Sequence, residues 1–173
     1  AISAPHEGEA EIIFPASLRP DPSHLDVDPN VTKPSEAPNG VNWRFRVPDG
    51  RRIKFTDNCQ GEQNFTAGED FGDFVVYTKD GYAAYELAVV VDDSNMGVTE
   101  VVRGADLLLS TARQILLYEA LSSDSFSSVR IPAFYHCPLV RDAEGKRMAK
   151  RNGDNTLRLS LIHISEPTRP NEI

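Results

Sequence analysis

The sequence predicts an α/β domain. Three features predict it: short apolar runs that alternate or are β-branched, one stretch of helical period, and turn residues between them. A chain of 173 residues is long enough for one ordinary domain and too short for two large ones. Hydrophobic residues make up 40% and charged residues 25%, which permits a real core and argues against disorder throughout.

Residues 1–42 hold seven of the 12 prolines (Pro5, Pro15, Pro20, Pro22, Pro29, Pro34, Pro38) among many Asp, Glu, Ser and Asn, a mixture that resists helix and strand alike. This segment reads as loop, with Ile12 to Phe14 as its apolar anchor. Trp43, Phe45 and Val47 then alternate with Arg44 and Arg46 as a half-buried strand does, and Ile53 and Phe55 resume the alternation after the turn Pro48-Asp49-Gly50. The two runs are predicted to pair as a hairpin. Phe74 to Thr78 is a further strand, Lys79-Asp80-Gly81 a turn, and Tyr85 to Val91 a strand buried on both faces that ends at Asp92-Asp93. From Ala105 to Leu121 the spacing of Leu108, Ala112, Ile115 and Leu116 predicts a helix, started by a Thr111-x-x-Gln114 capping box or by Asp106 as an earlier cap. Ser122 to Arg130 reads as a Ser-rich loop, and Pro138 to Val140 as a short strand before the turn at Ala143-Glu144-Gly145.

A net charge of −8 argues against a dedicated, highly basic nucleic-acid module, although a local basic patch could still meet RNA. Cys59 and Cys137 are far apart and lack Cys-x-x-Cys or His-rich neighbours, so neither a disulfide scaffold nor a self-contained zinc site is expected. A reducing, cytoplasmic setting is the expectation. Apolar runs such as Leu87 to Val91 fall far short of the roughly 20 residues that span a bilayer, and His6, Glu7, Glu9 and Glu11 stand where a signal peptide is apolar. No membrane insertion is expected. The chain opens with Ala1 rather than Met, which implies processing or a missing beginning.

The stretch YELAVVVDDSNMGVTEVVRGADLLLSTARQILLYEAL, residues 85–121, is far more specific than these patterns. It resembles the glutamyl-tRNA synthetase family of class I aminoacyl-tRNA synthetases. HCPLVRDAEGKRMAKR, residues 136–151, is similar to the second class signature, a loop usually written Lys-Met-Ser-Lys-Ser and here Arg147-Met148-Ala149-Lys150-Arg151. SAPHEGE at 3–9, the Ala149 form of the loop and RGADLL at 103–108 resemble most the shortened glutamyl-Q branch, which attaches glutamate to the queuosine base of tRNA(Asp).

The resemblance implies the second half of a Rossmann-like catalytic domain with an inserted β-hairpin region, and an ATP-dependent ligase, with Mg, whose partners are glutamate, ATP and tRNA. It implies that Tyr85 and Arg103 bind the substrate glutamate and that Lys150 is catalytic, stabilising negative charge on the ATP phosphates. The residue types suit those tasks: a guanidinium fork can grip a carboxylate through two bonds, and a phenol gives one directional contact. Without the resemblance, Tyr85 would read as a core tyrosine, Arg103 as a surface-paired arginine and Lys150 as part of a solvated basic run. Gly104 would allow close approach of backbone to ligand or serve as a plain turn glycine. His136 reads as structural, and Asp92 and Asp93 as strand-end and loop-ordering groups.

Family members begin with a strand and a loop bearing His-Ile-Gly-His and with further glutamate-contacting Arg and Glu residues, none of which occurs here. Residues 1–158 are therefore expected to be part of a catalytic domain, unable to form an adenylate alone. The zinc site of the glutamyl-Q branch is not carried over, because Phe14 and Leu18 stand where its later Tyr and Cys would fall, so no metal ligand is assigned. The tail LSLIHISEPTRP, 159–170, resembles a translated sequencing adaptor, and 159–173 is expected to be non-native. Two other readings remain: part of a full glutamyl-tRNA synthetase charging tRNA(Glu), and a noncatalytic RNA-binding or interaction module.

Overall fold

The computed structural model describes residues 13, 17, 19, 40–123 and 129–141. Two compact units divide at Cys137–Pro138, and the second contributes only residues 138–141 to the described set.

Among its described residues the first unit has six strands and two α-helices: β1 Trp43–Phe45, β2 Arg52–Asp57, β3 Gly61–Thr66, β4 Phe74–Tyr77, α1 Tyr85–Met96, β5 Glu100–Gly104, α2 Leu108–Ser123 and β6 Ala133–Cys137. A single 3₁₀ turn, Ala105–Leu107, joins β5 to α2. One sheet has the order β3-β2-β6-β5, and a separate two-stranded sheet pairs β1 with β4. β2 and β3 are antiparallel, whereas β6 runs parallel to both β2 and β5. β5, α2 and β6 thus form one βαβ unit, the connection that two parallel strands require. The α/β class predicted from the sequence stands.

Several elements differ from the sequence expectation. Pro48-Asp49-Gly50 does turn, with Arg51 donating to the Pro48 carbonyl at 3.0 Å, but the strands beside it do not pair with each other. β1 joins β4, with Phe45 opposite Phe74, and the true hairpin is β2–β3. Its turn is tied by the Asp57 carboxylate, which accepts the amides of Cys59 at 3.0 Å and Gln60 at 2.8 Å.

Tyr85–Met96 is a helix, not a strand. Glu86 and Val90, one helical turn apart, are buried on its inner face, while Tyr85, Val91 and Met96 are exposed. Gly97 ends the helix in the left-handed region, φ 67°, and Val98 donates back to the Asp93 carbonyl at 2.9 Å. Asp92 and Asp93 therefore lie inside a helix rather than at a strand end.

The helix expected from Ala105 to Leu121 is present as the 3₁₀ turn and α2. Ala112, Ile115, Leu116, Leu117 and Tyr118 are all buried, so α2 is covered on most of its circumference. No capping box forms: Thr111 is buried one turn inside the helix, and its hydroxyl donates to the Leu107 carbonyl at 3.2 Å. Pro138 to Val140 is not a strand; the strand lies just before it, as β6.

Val47, Ile53, Phe71, Phe74, Val90 and Phe134 complete the core with α2. Burying each such side chain contributes about 1.5–3 kcal/mol. Arg19 fastens a distant part of the chain to this body. Its Nε and NH2 meet the two oxygens of Asp73 at 2.7 and 2.9 Å, and it also pairs with Asp49.

Candidate functional site

The end of β5 carries Arg103, and the parallel register sets His136 of β6 directly beside it. Arg103 Nε donates to His136 Nε2 at 3.0 Å. Its NH2 donates to Thr111 Oγ1 at 2.6 Å and to Gln114 Oε1 at 2.8 Å, both from α2. The guanidinium lies 5.7 Å from the centre of the Phe134 ring, within cation–π range. Three of the five guanidinium N–H bonds are therefore engaged. Among the described residues NH1 has no hydrogen-bond partner, and Arg103 as a whole is half-buried.

This geometry changes how the guanidinium can act. The sequence suggests a two-pronged grip on a carboxylate, whereas the NH2 and Nε sides are already occupied by protein. The NH1 end is what remains for a ligand.

The engaged side is supported by a buried chain of polar groups. His136 is fully buried, and its Nδ1 lies 2.6 Å from Asp57 Oδ2. A guanidinium nitrogen only donates, so Nε2 of the imidazole is the bare acceptor and the ring proton sits on Nδ1, facing Asp57. Asp57 also accepts the His136 amide, at 3.1 Å. Burial alone would push the Asp57 carboxyl up, but the bonds from His136, Gln60 and Cys59 outweigh it and pull its pKa down to about 2. On the other side, Gln114 Nε2 donates to Glu86 Oε2 at 2.7 Å, and Arg113 NH1 lies 3.7 Å from Glu86 Oε1.

Tyr85 is the first residue of α1 and is 55% exposed, so it is no core tyrosine. Its neighbour Glu86 reaches Arg103 through Gln114, so one relay connects the start of α1 with the end of β5. Lys150 and the 147–151 loop lie outside the described residues. Gly104 has φ −73° and ψ 149°, a backbone conformation that any residue adopts, so the backbone angles do not require glycine there. The sequence reading missed Asp57, Glu86, Thr111 and Gln114 as parts of this cluster and set His136 aside. A polar residue at an otherwise apolar helix or strand position is the signal that marks them. Among the described residues no group of three or more His, Cys, Asp or Glu could hold a metal ion, and no helix is long and apolar enough to cross a membrane.

A parallel βαβ unit with a hydrogen-bonded arginine at its strand end defines the class as an α/β domain. The family model described as tRNA synthetases class I (E and Q), catalytic domain, matches residues 7–166. The chain belongs to that family.

Curated relatives agree. A glutamyl-Q tRNA(Asp) synthetase of Symbiobacterium thermophilum is 46% identical over 195 aligned positions, covering 99% of this chain and 55% of the relative. One of Burkholderia cenocepacia is 40% identical over 159, covering 91% of this chain and 47% of the relative. A glutamate--tRNA ligase of Desulfitobacterium hafniense is 42% identical over 114, covering 66% of this chain and 22% of the relative. The chain spans about half the length of the glutamyl-Q relatives. Among solved structures, a glutamate tRNA ligase from Elizabethkingia meningosepticum in complex with its amino acid superimposes with a TM-score of 0.54 at 36% identity, over 64% of this chain and 21% of that one.

Proposed function

We propose that this chain supplies the second half of the catalytic domain of a ligase that activates glutamate with ATP and passes it to tRNA, most specifically to the queuosine base of tRNA(Asp). The observation that carries the reading is Arg103, held at the end of β5 with only NH1 open, in a chain of this family. Arg103 NH1 meets a carboxylate of glutamate, and the exposed Tyr85 offers its hydroxyl to the same ligand. When bound, ATP supplies the phosphate that leaves as the carboxylate is activated, with Mg as its companion ion. Lys150 stabilises charge on those phosphates. Residues 1–158 carry the domain, 159–173 are non-native, and the chain alone makes no adenylate.

The test uses an intact enzyme carrying this segment. Pyrophosphate exchange should depend on glutamate, and aspartate should not replace it. Labelled glutamate should then transfer to queuosine-containing tRNA(Asp) and not to tRNA(Glu). Transfer to tRNA(Glu) instead would assign the segment to a full glutamyl-tRNA synthetase, the reading that the Desulfitobacterium relative supports. RNA binding without exchange would mean a noncatalytic module. Lys150→Ala should lower kcat by roughly 100-fold or more while changing the glutamate KM little, as loss of one preorganised transition-state charge does. Near-normal exchange would reduce the 147–151 segment to a solvated basic run.

A further inference from the structure

We propose that His136 is a positioning residue for Arg103. Anchored by Asp57, its Nε2 takes the Nε–H of Arg103 and turns the guanidinium so that NH1 is the end left open to a carboxylate ligand. The proposal rests on the reading above that Arg103 meets glutamate.

An arginine on a four-bond stem has many rotamers, and freezing it when a ligand binds weakens the binding. Here that cost is met before any ligand arrives. Nε is fixed from β6, NH2 is fixed twice from α2, and the Phe134 ring lies 5.7 Å below the plane's central carbon. Of these partners Gln114 is held by the Glu86 carboxylate and His136 by that of Asp57, and the latter bond is the one that sets a tautomer. The His136 Nδ1–H faces Asp57 Oδ2 at 2.6 Å, and its backbone amide donates to the same carboxylate at 3.1 Å. Asp57 is in turn held by the amides of Cys59 and Gln60 in the β2–β3 turn. The carboxylate fixes the tautomer, the tautomer leaves Nε2 bare, and a bare Nε2 is the acceptor that Arg103 needs. Thr111 Oγ1 accepts NH2 of the same guanidinium at 2.6 Å, which brings it to 3.1 Å from Nε2. Nothing in this arrangement requires His136 to touch the substrate, which is why it is a positioning group and not a catalytic one.

Two substitutions split the two bonds of the imidazole. Asparagine places its amide where Nδ1 stands, so His136→Asn keeps a donor for Asp57 and removes the acceptor for Arg103. Glutamine reaches to the Nε2 position, so His136→Gln keeps the acceptor and gives up the Asp57 bond. In an intact enzyme carrying this segment, His136→Asn should raise the glutamate KM in pyrophosphate exchange by about tenfold, the worth of one charge-assisted hydrogen bond, with the ATP KM little changed. His136→Gln should hold the glutamate KM within about threefold of the parent, as expected when that bond is kept, but melt at a lower temperature. A KM that follows the melting temperature across both variants would overturn the positioning role and leave a structural one. If Arg103→Lys raises the glutamate KM but His136→Asn does not, the proposal fails while the reading of Arg103 stands. If Arg103→Lys leaves the KM unchanged, both fail. One measurement needs no variant: in 15N-labelled parent protein, His136 should carry its proton on Nδ1, and Arg103 Nε–H should show a coupling across the bond to the bare Nε2. A proton on Nε2 would overturn the proposal even if every variant failed to fold.

Discussion

Asp57 shows how much one side chain can organise. A single buried carboxylate closes the β2–β3 turn through two amides, holds the β6 backbone and fixes the His136 tautomer. Its pKa near 2 lies below the usual 3.8, so the folded state favours the charged form. The resulting stability is fully present above the unfolded pKa, near 4, and is lost as pH falls through the folded one. A difference of about two units corresponds to roughly 2 to 3 kcal/mol. Thermal unfolding should therefore weaken by that amount between about pH 5 and pH 2, and Asp57→Asn should flatten this part of the curve. The same variant should lose at least about 2 kcal/mol at pH 7, because an amide hydrogen then faces Nδ1–H and a buried donor goes unpaired. A pH profile identical to the parent's would show that other carboxylates dominate. Arg103→Lys tests the neighbouring group: it keeps the charge, cannot satisfy His136, Thr111 and Gln114 together, and puts about 1.5–3 kcal/mol at stake. A rise of at least several-fold in the glutamate KM is expected in exchange assays with the intact enzyme.

At the scale of the element, what could be read from the chain depended on whether one residue's neighbours in sequence were also its partners in space. α2 was legible because Ala112, Ile115 and Leu116 do face the core. α1 was not, since Val89-Val90-Val91 favours a strand and the inner face of the helix carries Glu86 in place of an apolar residue. That glutamate is tolerated only because Gln114, 28 positions away, donates to it. β3, reading Gly-Glu-Gln-Asn-Phe-Thr, has weak strand character and is formed by its register with β2. Arg103 and Tyr85 are proposed as site residues through a motif, whereas the cluster behind Arg103 joins three elements and leaves no local pattern. Turn chemistry can be tested here. Gly97 and Gly68 both have positive φ, 67° and 85°. A Cβ on Gly97 would meet nothing within 4 Å, but one on Gly68 would lie 2.6 Å from Asp49 Oδ1, which Arg19 NH2 holds at 2.9 Å. Gly97→Ala should cost about 1 kcal/mol from backbone strain alone. Gly68→Ala should cost about 2 kcal/mol, strain plus displacement of an exposed ion pair. Equal losses in denaturant melts would mean that Asp49 moves aside freely.

For the molecule as a whole, the order β3-β2-β6-β5 leaves β5 paired on one side only among the described residues. The sequence suggested a strand buried on both faces at Tyr85 to Val91, but that segment is helical, and the unpaired edge among the described residues belongs to β5. Val102 lies at its middle and is 69% exposed, with Arg103 beside it turned to the opposite, polar-clustered face. Unpaired backbone flanking an exposed β-branched side chain is a template for another strand. The chain spans about half the length of its glutamyl-Q relatives, and among the described residues no strand covers this edge. The chain should therefore self-associate as its concentration rises, and Val102→Lys should suppress this by placing a charge on the edge without entering the core. Size-exclusion chromatography across a concentration series is the measurement. A larger monomer fraction with stability changed by no more than about 0.5 kcal/mol is the expected outcome for a surface substitution. A lysine that costs 2 kcal/mol or more would mean that Val102 is already packed in solution and that the β5 edge is closed by this chain's own residues.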